Sequence, residues 1–291
     1  MAHLAISNVK FNLYKRKTTK GNTLKMKRFL FGCICLFLQT SGVMAQTTHK
    51  EPLFGKKEQT VKITSNSLKG AVFYLVSGHG GPDPGCIGKY QGKELHEDEY
   101  AYDIILRLGR ELLQHGAKVY FIIQDKKDGI RETYILNNSK RETCMGKKIP
   151  LNQTERLNQR CDAINRLHSK ERGAKYKRAI FVHVDSRSRK NQTDVFFYHA
   201  PESKYGEQLA KSIQSTFRTK YKKFQPNRGF DGTVNGRNLH VLRNTTPIGV
   251  FLEVGNIQNA RDQQRLVIPD NRQALANWIT EAILTDFKKT R

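Results

Sequence analysis

Acidic residues are scarce in this chain: 26 Asp and Glu stand against 51 Lys and Arg, a formal net charge of +25. Such a surface suits an anionic partner, whether nucleic acid, an anionic membrane or an acidic polymer. Cysteine is sparse as well, with five residues and no CxxC spacing, which removes support for zinc-finger and redox motifs. HExxH is absent, and so are internal repeats and low-complexity tracts. Long apolar runs are missing. The run FLFGCICLFL, Phe29 to Leu38, is too short to span a bilayer as an ordinary helix.

That run follows Met26-Lys27-Arg28 and leads into a segment ending Val43-Met44-Ala45. A basic start, a short apolar core and a small-residue cleavage site read as a secretory signal peptide. Residues 1–25 then stand upstream of a translation start at Met26, residues 26–45 are the signal peptide, and Gln46 is the mature N-terminus. Export implies the periplasm or cell envelope and makes nucleic acid the least suitable of the anionic partners. It also leaves no transmembrane helix in the mature chain. Residues 1–45 carry eight of the basic residues and no acid, which leaves +17 for the remainder. Cys86, Cys144 and Cys161 remain and permit at most one internal disulfide.

What the chain does contain is alternation. Residues 46–69 are polar and lysine-rich, and read as a linker with an edge segment. From residue 70 to 288, strand patterns alternate with helical ones. Strands are expected at Ala71 to Val76, Lys118 to Ile123, Ala179 to Asp185, Asp194 to His199, His240 to Leu242 and Ile248 to Gly255. Helices are expected from Glu97 to Gln114, Thr154 to Ser169, Ser203 to Lys220 and Asn271 to Phe287. In the first of these, Ala101, Ile104, Ile105, Leu108 and Leu112 share one face, and Gly116 ends it. The alternation implies a single α/β domain with a mostly parallel open sheet and helices on both faces. Residues 125–153 are charged, irregular and longer than an ordinary connection, and are expected to wall the functional groove.

Three strands end in ionisable residues: AVFYLV runs into His79, AIFV into His183 and GVFL into Glu253. Ligands of open α/β sheets sit at the carboxyl ends of strands, so these groups can converge. Glu97 lies four residues before Ala101, which turns it toward the sheet, where a buried carboxylate needs a partner. Two histidines and a carboxylate with an open fourth position form the ligand set of a catalytic zinc hydrolase. Such a site also needs a general base outside the ligand set, and Glu253, embedded in an apolar strand, suits that role. His96 is adjacent to Glu97 but points elsewhere on the helical wheel. His168, His199 and His240 read as surface or packing residues.

These residues fall within VSGHGGPDPGCIG, HEDEYAYDI, FVHVDS and VFLEVGNIQN, in that order. Together they resemble the zinc-dependent N-acetylmuramoyl-L-alanine amidases of the bacterial cell wall, the amidase-3 type, over about residues 70–285. The resemblance implies one zinc ion held by His79, Glu97 and His183, with Glu253 as the catalytic glutamate. It also implies peptidoglycan as substrate, cleaved between the lactyl group of muramic acid and L-alanine. The glycines around His79 then serve to let metal and polymer approach. Arg160 and Arg243 are candidate contacts to substrate carboxylates. The chain departs from the family pattern at Gln124-Asp125, where Thr-Arg is usual, and at Gly255-Asn256, where Gly-Phe is usual. An inhibitory helix has no room in SRSRKNQT, residues 186–193. A zinc peptidase cutting within the stem peptide and a non-catalytic basic wall-binding protein are the alternatives. The need for a protein activator is left open.

Overall fold

In the computed structural model of the chain, residues 47–185 and 194–290 are described. The proposed signal segment, its cleavage site and residues 186–193 lie outside them. In chain order come β1 (Thr48–Lys50), a 3-10 turn (Pro52–Phe54), α1 (Gly55–Glu58), β2 (Thr60–Lys62), β3 (Ala71–Ser77), β4 (Ile87–Tyr90) and β5 (Lys93–His96). Then follow α2 (Glu97–Gln114), β6 (Lys118–Phe121), β7 (Ile123–Gln124), β8 (Thr143–Cys144), β9 (Lys147–Lys148), α3 (Gln153–Lys170) and β10 (Tyr176–Asp185). The chain closes through β11 (Phe196–His199), α4 (Lys204–Phe224), β12 (Val234–Gly236), α5 (His240–Arg243), β13 (Ile248–Asn256), α6 (Ala260–Val267) and α7 (Pro269–Thr290).

The central sheet has six strands in the order β12-β11-β13-β10-β3-β6. β6, β3, β10 and β13 run parallel, whereas β11 pairs antiparallel with β13. Every residue of β3 is buried, as expected of a central parallel strand covered on both faces. Along β10 and β13 the side chains alternate between two cores. Val182, Val184, Leu252 and Val254 join the core under α2, α4 and α7. Phe181 packs into the opposite core with Val76, Cys161, Ile164 and Val241, under α3 and α5. The predicted stripe of α2 is fully buried. The described residues fall in one compact unit.

The structure departs from the sequence expectations in four places. Residues 47–69, within the segment read as a linker with an edge segment, are folded onto the domain: β1 and β2 pair as a hairpin, Val61 is buried, and buried Phe54 meets Phe121 edge-on at 5.5 Å. His240 to Leu242 form the start of α5 rather than a strand, because three apolar-leaning residues carry no usable period. α6 was not anticipated. Its buried face holds Asp262, Gln263 and Arg265 beside Leu266 and Val267, and such polar residues hide a hydrophobic stripe. The 125–153 connection contains the β8–β9 hairpin, which adds to β7 as a three-stranded sheet. Cys144 and Cys161 are buried free thiols.

Candidate active site

Parallel pairing sets His183 on β10 directly beside Glu253 on β13. Paired residues project to the same face, so both side chains leave the sheet together at its carboxyl edge. β3 delivers His79 to that edge two residues beyond its end. Glu97, first residue of α2, reaches over from the other face. It is 2% exposed and accepts hydrogen bonds from the backbone N–H of Cys86 and of Val184, both at 2.9 Å.

The three groups meet. His79 Nε2 lies 3.3 Å from Glu97 Oε2, and His183 Nδ1 lies 3.1 Å from Glu97 Oε1. The two imidazole rings stand edge-on with centroids 5.0 Å apart. One ligand atom from each residue falls within 4.8 Å of the others. Bonds of ~2.0–2.1 Å at a tetrahedral angle separate neighbouring ligand atoms by ~3.3 Å, so two imidazoles and a carboxylate at these spacings fit a zinc ion. Burial opposes charge on Glu97, but hydrogen bonds to His183 and His79 outweigh it and hold the carboxyl well below the usual range. Burial lowers His183 despite its bond to Glu97.

Asp83 orients His79. Its Oδ2 lies 2.8 Å from His79 Nδ1, which leaves Nε2 to face Glu97, the arrangement by which carboxylates fix metal-binding imidazoles. Arg156 on α3 holds the same oxygen at 2.5 Å. Burial works against a charged His79, yet hydrogen bonds to Asp83 and Glu97 raise it to about 10. Burial likewise opposes ionisation of Asp83, and the bond to His79 with its charge brings that carboxyl down to about 2. Nothing in the spacing of the turn distinguished Asp83 from an ordinary turn former, and sequence reasoning missed it.

Two of the glycines serve packing. A Cβ on Gly78 would lie 2.5 Å from the His183 ring, and one on Gly85 would lie 2.7 Å from Glu97 Oε2 and from the His79 ring. Bare backbone at these two positions lets the three groups close on one another. His79 itself takes φ +57°, uncommon for a residue with a side chain and costing about 1–3 kcal/mol. Arg160 helps hold that conformation. It is buried and donates to the His79 carbonyl, rather than standing on a solvated helix face.

Arg156, Leu157 and Arg160 of α3, with Leu239, His240 and Val241, wall a cavity of about 160 Å³ over His79, His183 and Phe251. Phe251 stacks on the His183 ring at 4.3 Å. His240, read as surface or packing, thus lines the cavity, held 2.7 Å from Asn158 Oδ1. The 125–153 connection contributes only its last residue, Gln153, so it does not wall this cavity. It reaches the site from behind, where Glu142 accepts from the Gly81 N–H at 2.8 Å. Arg243 is exposed, bonds Asn238 at 3.2 Å and lies outside the cavity lining. His96 pairs with Glu94 at 3.3 Å.

The sequence profile of one family, described as N-acetylmuramoyl-L-alanine amidase, matches residues 74–285. The chain belongs to this family. The span runs from within β3 to within α7 and holds every residue of the convergent group. The chain is 27% identical over 225 residues to the germination-specific N-acetylmuramoyl-L-alanine amidase of Bacillus subtilis, covering 76% of this chain and 81% of that protein. It is 24% identical over 240 residues to an uncharacterized cell wall amidase of Bacillus anthracis, covering 78% of this chain but 37% of that longer relative. Among solved structures, the CwlD amidase of Clostridioides difficile in complex with the GerS lipoprotein superposes with a TM-score of 0.56 at 18% identity, over 75% of this chain and 98% of that one. The catalytic domain of CwlV from Bacillus (Paenibacillus) polymyxa gives 0.52 at 22% identity, over 76% and 99%. These structures share the fold. The enzyme is therefore an N-acetylmuramoyl-L-alanine amidase, and no helix among the described residues is long and apolar enough to cross a membrane.

Proposed function

We propose that this amidase is zinc-dependent, that His79, Glu97 and His183 hold one ion, and that Glu253 is the general base and acid. The observation that carries the reading is the meeting of two imidazoles and a buried carboxylate within 4.8 Å, beside a glutamate paired to one of them across the sheet. Zinc bound there would supply Lewis-acid activation of the amide carbonyl and of the attacking water. Glu253 takes the proton from that water and returns it to the departing L-alanine amine. Asp83 and Arg156 keep His79 in the tautomer that turns Nε2 inward. Phe251 stacks on the His183 ring and fixes its plane. The substrate is peptidoglycan of the cell envelope, reached by export, a reading supported by the residue pattern of Met26 to Ala45.

Replacing any of His79, Glu97 or His183 by Ala should lower bound zinc and activity together. Glu253→Gln keeps shape but cannot accept the proton. It should retain stoichiometric zinc and lose ~10²–10⁴-fold in turnover. Mass spectrometry of digested muropeptides should find free lactyl-muramic ends and intact stem peptides. Cuts within the stem peptide, stoichiometric zinc in His183→Ala, or substantial turnover in Glu253→Gln would each overturn the assignment.

A further inference from the structure

The first turn of α2 carries more acid than the site above uses. Asp98 and Glu99 follow Glu97, and Glu142 comes in from the residue before β8. All three are buried, at 2%, 1% and 5% exposure, and one carboxylate oxygen from each lies within 4.8 Å of the others. Acids at a helix N-terminus are ordinarily explained by the helix dipole, but that explanation needs no burial and does not account for Glu142.

Their hydrogen bonds are uneven. Glu99 accepts from Arg131 at 2.6 Å and from the Ser139 N–H at 2.5 Å. Glu142 accepts from the Gly81 N–H at 2.8 Å and from the Ser139 hydroxyl. Asp98 accepts through Oδ1 from the Glu99 N–H at 2.9 Å, while its buried Oδ2 has no hydrogen-bond partner. Among the described residues neither Asp98 nor Glu142 forms an ion pair. Were all three ionised, the one guanidinium, that of Arg131 on Glu99, would leave two negative charges buried without an ion-pair partner. Isolated buried charge costs several kcal/mol per ion, and an orphaned carboxylate oxygen adds to it.

We propose that Asp98, Glu99 and Glu142 form a second cation site, distinct from the His79–Glu97–His183 group, for an oxygen-preferring divalent ion such as calcium. The donors support that class of ion. They are carboxylate oxygens, with the Ser139 hydroxyl nearby and no imidazole or thiolate, the set that suits hard cations rather than zinc. A divalent ion would balance the two carboxylates that lack an ion-pair partner. Bound there, it ties three separate pieces of chain together: the start of α2, the 125–153 connection through Glu142, and the glycine turn through the Glu142–Gly81 bond. Its effect is structural, fixing the turn that presents His79.

The test uses the zinc-loaded enzyme in calcium-free buffer. Equilibrium dialysis against calcium chloride should find one calcium per chain, and the thermal midpoint should rise by several degrees at millimolar calcium. Glu142→Gln and Asp98→Asn should each lose the bound calcium and the calcium-dependent shift while retaining zinc. His183→Ala should keep the shift, which separates this site from the zinc site. No bound calcium in the wild type at millimolar concentration, with a midpoint indifferent to it, overturns the proposal even if neither variant folds. So does a protonated-carboxyl infrared band at neutral pH that Asp98→Asn removes and calcium does not, since a proton would then occupy the place assigned to the ion.

Discussion

At the level of single residues the informative group is His79, because a proton and the proposed metal would compete for its Nε2. Burial alone would depress it, but Asp83 and Glu97 raise it to about 10. The sign follows. With the folded value above the ordinary one of ~6.5, the protonated contact contributes stability to the metal-free protein that is complete below ~pH 6.5. That contribution is lost as pH rises toward 10. Zinc must expel this proton, so its apparent affinity should climb with pH by up to about tenfold per unit between ~pH 6.5 and 10. Asp83→Asn removes the main hydrogen-bonding support for the charged ring, and should flatten that climb while weakening zinc through the loss of ring orientation. Competition titrations with a zinc chelator across this range would decide it; an affinity independent of pH in the wild type would refute the assignment.

At the level of elements, the 125–153 connection teaches most. Arg131 anchors it. Its side chain pairs with Glu99 at 2.6 Å and Asp128 at 2.9 Å, and its backbone N–H donates to the Asp103 carboxylate at 2.8 Å. Asp103 is in turn held by Arg107 at 2.8 Å and Arg272 of α7 at 2.6 Å, and Arg272 donates to the carbonyls of Arg131 and Thr133. Removing Arg131 would strand buried carboxylates, so Arg131→Ala should destabilise by about 3–5 kcal/mol, read as a shift in denaturant midpoint. A change under 1 kcal/mol would mean that the connection is held elsewhere. This anchoring was illegible in the sequence because it runs through backbone carbonyls and through charges far apart along the chain. The helices α2, α3, α4 and α7 were legible because their apolar stripes repeat with the helical period. α5 and α6 were not, being short or buried through polar side chains. The convergence of His79, Glu97 and His183 was readable because each sits at an element end where a local explanation fails. Asp83, Arg156 and Phe251 fit local explanations well and so gave no signal.

At the level of the molecule, charge and topology combine. Because β11 runs against β13, α4 starts near the amino end of β13, with Gly206 close to the Gly249 carbonyl. α4 therefore ends toward the carboxyl edge of the sheet. There Arg228, just beyond it, pairs with Asp194, two residues before Phe196, whose partner in the sheet is Glu253. The end of α4 carries Arg218, Lys220, Lys222 and Lys223, and Phe224 is exposed while stacking on Trp278 at 6.4 Å. Basic groups thus gather at the same edge as the candidate site, on a chain that keeps +17 after residue 45. Such a field concentrates an anionic polymer at the site, and peptidoglycan stem peptides carry carboxylates. Screening shortens its reach from ~10 Å at 0.1 M salt to ~3 Å at 1 M. Binding to intact sacculi in sedimentation assays should therefore weaken steeply over that range, whereas turnover of a small soluble muropeptide at saturation should change little. The double substitution Lys222→Glu with Lys223→Glu should reproduce the loss at low salt and leave soluble turnover intact. Sacculus binding that ignores both salt and this substitution would show that the wall is engaged by shape at the groove rather than by the charge at the end of α4.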